Sequence, residues 1–102
     1  MLAEIVRRLI AAYQPERIYL FGSKARGDAD PDSDYDLMVL VPDRVPPPPL
    51  RSRRTYEALR GLGIGSAADV LVWTREAFEK RLHLKASLPS TILREGKLLY
   101  GA

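Results

Sequence analysis

Asp34 and Asp36 stand one residue apart at the head of the apolar run Leu37-Met38-Val39-Leu40-Val41. Side chains on a strand alternate between faces, so both carboxylates project to the same side. From there they can share one or two divalent cations. Upstream, Gly22-Ser23 closes a second apolar run, Ile18-Tyr19-Leu20-Phe21. A small turn of that kind offers backbone N–H groups and a hydroxyl to phosphate oxygens. Metal and phosphate held side by side is the chemistry of nucleotidyl transfer.

Asp69 is the third carboxylate of interest. It lies between Ala68 and Val70-Leu71-Val72, on the strand face shared by Ala67, Leu71 and Trp73. An aspartate there is expensive if buried without a partner. It stands either at a solvated strand mouth or beside something positive. If its strand neighbours the one bearing Asp34 and Asp36, three acids converge, an arrangement that makes sense around a cation. Mg²⁺ takes oxygen ligands and keeps several waters, which suits carboxylates that also face a triphosphate. Lys24 and Arg26 flank the glycine-serine turn. Arg26 is the better phosphate ligand, because its planar fork matches phosphate oxygens.

Plain readings compete with each residue taken singly. Asp34 alone is a turn residue after Ser33, and Asp36 alone is an exposed strand end; their combination carries the functional reading. His83, among Leu82, Leu84 and Lys85, reads as a surface or packing residue, and Trp73 and Phe78 read as core. Gly61-Leu62-Gly63-Ile64-Gly65 resembles a phosphate loop in composition only. It leads into a strand-like segment instead of opening a helix, so a turn is the better reading.

The elements that must position these groups follow from the pattern. Leu2, Ile5, Val6, Leu9, Ile10 and Tyr13 form a helical stripe that Pro15 stops. Residues 17–21 read as a buried strand. Residues 23–26 read as a short helix with Ser23 as cap and Gly27 near its end. A polar loop at 28–33 leads to a strand at 35–41. The segment 42–49 contains four consecutive prolines and is expected to be extended polyproline II, a stiff loop. Residues 51–60 are expected to be helical and 68–73 to form a strand. Thr74 should cap a helix running to about Leu84, with Glu76 in its first turn. A last helix over 87–95 should close on a left-handed Gly96, before an edge strand at 97–100. The fold class is α/β or α+β, a small mixed β-sheet flanked by helices.

Bulk properties set limits. A chain of 102 residues makes one domain, residues 1–102, with room for a single core. A net charge of +3 is mildly basic, too weak to argue nucleic-acid binding, and the arginines at 51, 53, 54 and 60 read as a solvated helix face. The absence of cysteine excludes disulfides and thiolate metal sites. No signal-peptide pattern or membrane-length apolar run is present. The expectation is a cytoplasmic protein without a membrane.

Gly22-Ser23-Lys24-Ala25-Arg26-Gly27, followed by Ser33-Asp34-Tyr35-Asp36-Leu37, resembles the signature of the DNA polymerase β-type nucleotidyltransferase superfamily. Within it the chain is most similar to the minimal nucleotidyltransferases, small prokaryotic antitoxins encoded beside a helical HEPN toxin. The likeness extends to the strand Asp69-Val70-Leu71-Val72 and the tail from Ile92 to Tyr100. It implies the polymerase β-like nucleotidyltransferase fold, with Gly22 and Ser23 on the nucleotide triphosphate and Arg26 steadying the phosphates or the turn. Asp34 and Asp36 would bind two Mg²⁺ ions, and Asp69 would complete the metal set and help deprotonate the acceptor. The donor implied is ATP and the acceptor a tyrosine of the HEPN toxin. Two alternatives stay open: a non-catalytic antitoxin that masks its partner, and a small-molecule nucleotidyltransferase of the aminoglycoside type. The proline tract departs from the pattern and puts the start of the following helix in doubt.

Overall fold

The computed structural model describes residues 2–27, 34–42, 48–60 and 68–101. The loop expected at 28–33, most of the proline tract and the glycine run at 61–65 lie outside these residues, as does Ala67.

The element order is α1 (Leu2–Tyr13), β1 (Arg17–Phe21), α2 (Ser23–Arg26), β2 (Tyr35–Val41), α3 (Pro48–Leu59), β3 (Ala68–Thr74), α4 (Arg75–Glu79), α5 (Leu88–Glu95) and β4 (Lys97–Tyr100). The strands form one sheet in the order β3-β2-β1-β4. β1 runs antiparallel to both β2 and β4, whereas β2 and β3 are parallel. A parallel pair requires a crossover connection, and α3 lies within it. The mixed sheet and its flanking helices match the expected fold class.

Each sheet face has its own core. On one face the stripe of α1 (Ile5, Leu9, Tyr13) packs on Ile18, Leu20, Leu37, Val39 and Val41. On the other, Phe78 of α4 and Ile92 of α5 pack on Tyr19, Met38 and Leu40, and the Tyr19 and Phe78 rings stack at 6.0 Å. β2 is thus covered on both sides, which explains its unbroken apolar run. α3 is tied to α1: Arg54 lies over the Tyr13 ring, and Arg8 donates to the Arg60 carbonyl at 2.9 Å. Among the described residues no helix is long and apolar enough to cross a membrane.

Several expectations need correction. α3 begins at Pro48, not near 51, so the proline tract is not extended to its end. Proline suits the first turn of a helix, where its fixed φ is already helical and its missing N–H has no partner to lose. α4 stops at Glu79 instead of Leu84. Past it the amides of Arg81 and Leu82 bond three residues back, a tighter winding. The Ser87 hydroxyl then takes the Arg81 carbonyl at 2.6 Å and draws the chain round to α5. Gly96 is not left-handed: its φ is −81° and ψ 172°. It is glycine because a Cβ there would sit 2.6 Å from the Ile92 carbonyl oxygen and 2.9 Å from that of Leu20. Thr74 does cap its helix, accepting from the amide of Ala77, whereas Ser87, expected as the first residue of the last helix, stands before it as the cap and accepts from the amide of Ser90.

Candidate active site

Strand register sets two of the carboxylates side by side. In the parallel β2–β3 pair, Asp36 stands directly opposite Asp69. Neighbours in register point to the same face, here the face lined further along by Met38, Leu40, Leu71 and Trp73. Asp34, two residues before Asp36, has the same parity at the head of β2. Asp34 and Asp69 are exposed and Asp36 is half-buried. Asp69 therefore takes the solvated of its two expected settings, at the second residue of its strand.

The glycine-serine turn meets this corner through the antiparallel β1–β2 pair, in which Phe21 stands opposite Asp36. Gly22 follows with φ 75° and ψ −158°, a conformation essentially reserved for glycine. A Cβ there would fall inside the contact distance of Asp36 Oδ2 and 3.3 Å from its Cγ. The turn is thus packed on the carboxylate. The Gly22 carbonyl accepts from the amides of Ala25 and Arg26, both at 3.1 Å, and Gly27 closes α2 in the left-handed region. Gly22, not Ser23, occupies the cap position, and no side chain caps α2. Ser23 is the first helical residue, so its hydroxyl is not spent on capping.

Electrostatics tie the pieces together. The Asp36 carboxyl is pushed above the ordinary aspartate range, first by burial and then by the negative charges of Asp69 and Asp34, while Arg26 opposes the shift. Burial plus like charge is the environment a bound cation relieves. The donor set is all oxygen, the choice of Mg²⁺. As the side chains stand, no three acidic, histidine or cysteine groups among the described residues are gathered closely enough to hold an ion together.

His83 is exposed in the turn after α4 and takes no part in this corner. A cavity of about 220 Å³ between Arg17, Leu40, Arg75 and Phe78 also lies away from it. Leu40 is four residues from Asp36, about 13 Å along the strand. Sequence reasoning missed Tyr35, whose ring lies under the Lys24 ammonium at 5.0 Å. Its place between two aspartates was the available signal, but nothing in the spacing pairs it with Lys24.

Comparison with known proteins agrees with this fold. No curated protein matches the sequence. Three solved structures share the fold, each covering 98% of this chain. One is a candidate nucleotidyltransferase from Sulfolobus solfataricus, with a TM-score of 0.67, 21% identity and 78% of its own chain covered. Another is a toxin–antitoxin with AMP-PNP, with a TM-score of 0.68, 24% identity and 73% coverage. The third is a toxin–antitoxin named MntA–HpeT carrying two Asp-to-Glu changes two positions apart, with a TM-score of 0.61, 22% identity and 73% coverage. The family described as "Nucleotidyltransferase domain" matches residues 1–99, so the chain belongs to the nucleotidyltransferases.

Proposed function

We propose that this chain transfers AMP from ATP to a hydroxyl of a partner protein, a tyrosine of a HEPN-domain toxin, and so acts as its antitoxin. The observation that carries the reading is the register that sets Asp36 opposite Asp69, with Gly22 packed on the Asp36 carboxylate. Structural neighbours supply the direction: one is a toxin–antitoxin with AMP-PNP, and another carries paired aspartate changes at the spacing of Asp34 and Asp36. A cytoplasmic setting, where ATP and Mg²⁺ are abundant, belongs to the same reading.

Asp34, Asp36 and Asp69 would hold the Mg²⁺ ions. When bound, these ions neutralise triphosphate charge and make the acceptor hydroxyl easier to ionise. Gly22 presents backbone close to the triphosphate, where a side chain would intrude, and Ser23 offers its hydroxyl to a phosphate oxygen. Arg26, already within electrostatic reach of Asp36, steadies the phosphates. Asp69, exposed at the edge strand, accepts the proton of the incoming hydroxyl. The acceptor oxygen bonds to the α-phosphorus, the bond to pyrophosphate breaks, and pyrophosphate leaves with the electron pair. The protein's contribution is positioning and electrostatics.

Incubating a HEPN partner with this chain and Mg-ATP, then weighing the partner intact, tests the proposal. An adenylate-sized adduct on a tyrosine is expected, absent with Asp36→Asn. A partner neutralised by Asp36→Asn without nucleotide would show masking instead, and transfer to an aminoglycoside would show a small-molecule enzyme.

A further inference from the structure

α2 has four residues, too few to persist on its own hydrogen bonds, because the first helical turn is costly to nucleate. Contacts from both faces of β2 hold it. On the Asp36 face, Gly22 abuts the carboxylate. On the opposite face the Lys24 ammonium lies 5.0 Å from the centroid of the Tyr35 ring, within cation–π range. Tyr35 packs against the core beneath α1, so the ring is a fixed anchor. Buried Ala25 joins that same core. Because side chains alternate, Tyr35 points away from the two aspartates that flank it. The turn therefore straddles the strand that carries Asp36.

We propose that Lys24 is a positioning residue: its grip on Tyr35 fixes the 22–27 turn, and with it Ser23, at a set height over Asp34 and Asp36. The consequence for nucleotide rests on the nucleotidyl-transfer reading; the clamp itself does not. Lys24 thus acts through the ring of Tyr35 and not directly on phosphate, a division of labour that leaves Arg26 as the cation facing the carboxylates.

Lys24→Met, Tyr35→Leu and their double variant, with Tyr35→Phe and Lys24→Arg as conservative controls, test the assignment. AMP-PNP affinity with Mg²⁺ is read by calorimetry. Lys24→Met and Tyr35→Leu are each expected to weaken binding about 2- to 10-fold. The double variant should be no weaker than the worse single. Tyr35→Phe keeps the ring face, and Lys24→Arg keeps a cation that stacks on it, so both should bind as the parent does. Multiplying losses in the double variant would mean that Lys24 meets phosphate independently of the ring, and would overturn the proposal. A readout without nucleotide separates the clamp from the function. The Lys24 ε-protons should show an upfield ring-current shift that Tyr35→Leu abolishes, and the amides of Ala25, Arg26 and Gly27 should exchange faster in Lys24→Met. Absence of that shift in the parent sinks the clamp. A parent that shows it yet binds no AMP-PNP supports the clamp and counts against the nucleotidyl-transfer reading.

Discussion

Replacing Gly22 by alanine strikes the joint between the turn and the carboxylates. With φ at 75° and ψ at −158°, a residue bearing a Cβ is strained by about 1–3 kcal/mol. The new methyl also intrudes on Asp36 Oδ2 and comes within 3.3 Å of its Cγ. β2 is pinned between β1 and β3, so the Asp36 side chain must rotate, at about 0.5–1.5 kcal/mol if driven off its rotamer. The two effects together reach about 2 kcal/mol or more, out of the roughly 5–15 kcal/mol of a typical domain. The fold should survive, with a Tm about 10 °C lower or more. Urea and thermal melts in EDTA read this, and a cycle with Asp36→Ala separates the causes. Removing the carboxylate relieves the contact but not the backbone strain, so the double variant should recover about 0.5–1.5 kcal/mol. Gly22→Ala within about 0.5 kcal/mol of the parent, or strict additivity in the cycle, would refute the packing of the turn on Asp36.

Asp36→Asn should lower transfer by about 10²- to 10³-fold, as loss of a central electrostatic group does, read by adduct formation with Mg-ATP. The same variant should be more stable in EDTA at neutral pH. In the parent the folded-state pKa of the Asp36 carboxyl is raised above the unfolded value by burial and by Asp69 and Asp34, so the parent loses stability as pH rises from the unfolded to the folded value. Melts across that acidic window should show this decline in the parent and a flatter curve in the variant. Saturating Mg²⁺ should stabilise the parent by about 2.7 kcal/mol at a hundred times Kd, read as a raised Tm, and leave a triple Asp→Asn variant at 34, 36 and 69 unmoved in a thermal melt. Gly96→Ala should cost about 1–3 kcal/mol, because its methyl meets the backbone carbonyls of Ile92 and Leu20; an unchanged urea midpoint would contradict that contact.

The stripe of α1, the run of β2 and the cap at Thr74 were legible because each is a local pattern. The turn and paired acids were legible because chemistry restricts residue types there. What escaped depends on contacts made across the fold. Gly96 looks like a helix terminator by position, yet its role is set by the Ile92 carbonyl and by the Leu20 carbonyl of a strand 76 positions earlier. Pro48 looks like more of a polyproline segment until a helix begins there. The chain past α4 tightens and is then drawn round by a serine hydroxyl six residues beyond Arg81. Lys24 and Tyr35 sit 11 positions apart, and only the return of β2 alongside β1 brings them together.

The register of β3 belongs to both classes, and the site depends on it. Val70 and Val72 pack toward the core beneath α1, while Leu71 and Trp73 pack toward Phe78 and Ile92. The period of a strand is two, so a slip of one residue would send each set to the wrong face and move Asp69 away from Asp36. Asp69 itself contributes nothing to that choice, since it is exposed. The apolar residues that follow it decide where it points, and mutual repulsion with Asp36 and Asp34 opposes the outcome. The acidic corner is therefore held together by hydrophobic patterning against its own electrostatics. Neutralising an acid should accordingly leave the sheet intact, with an unchanged circular dichroism spectrum and a Tm no lower than the parent's as the check.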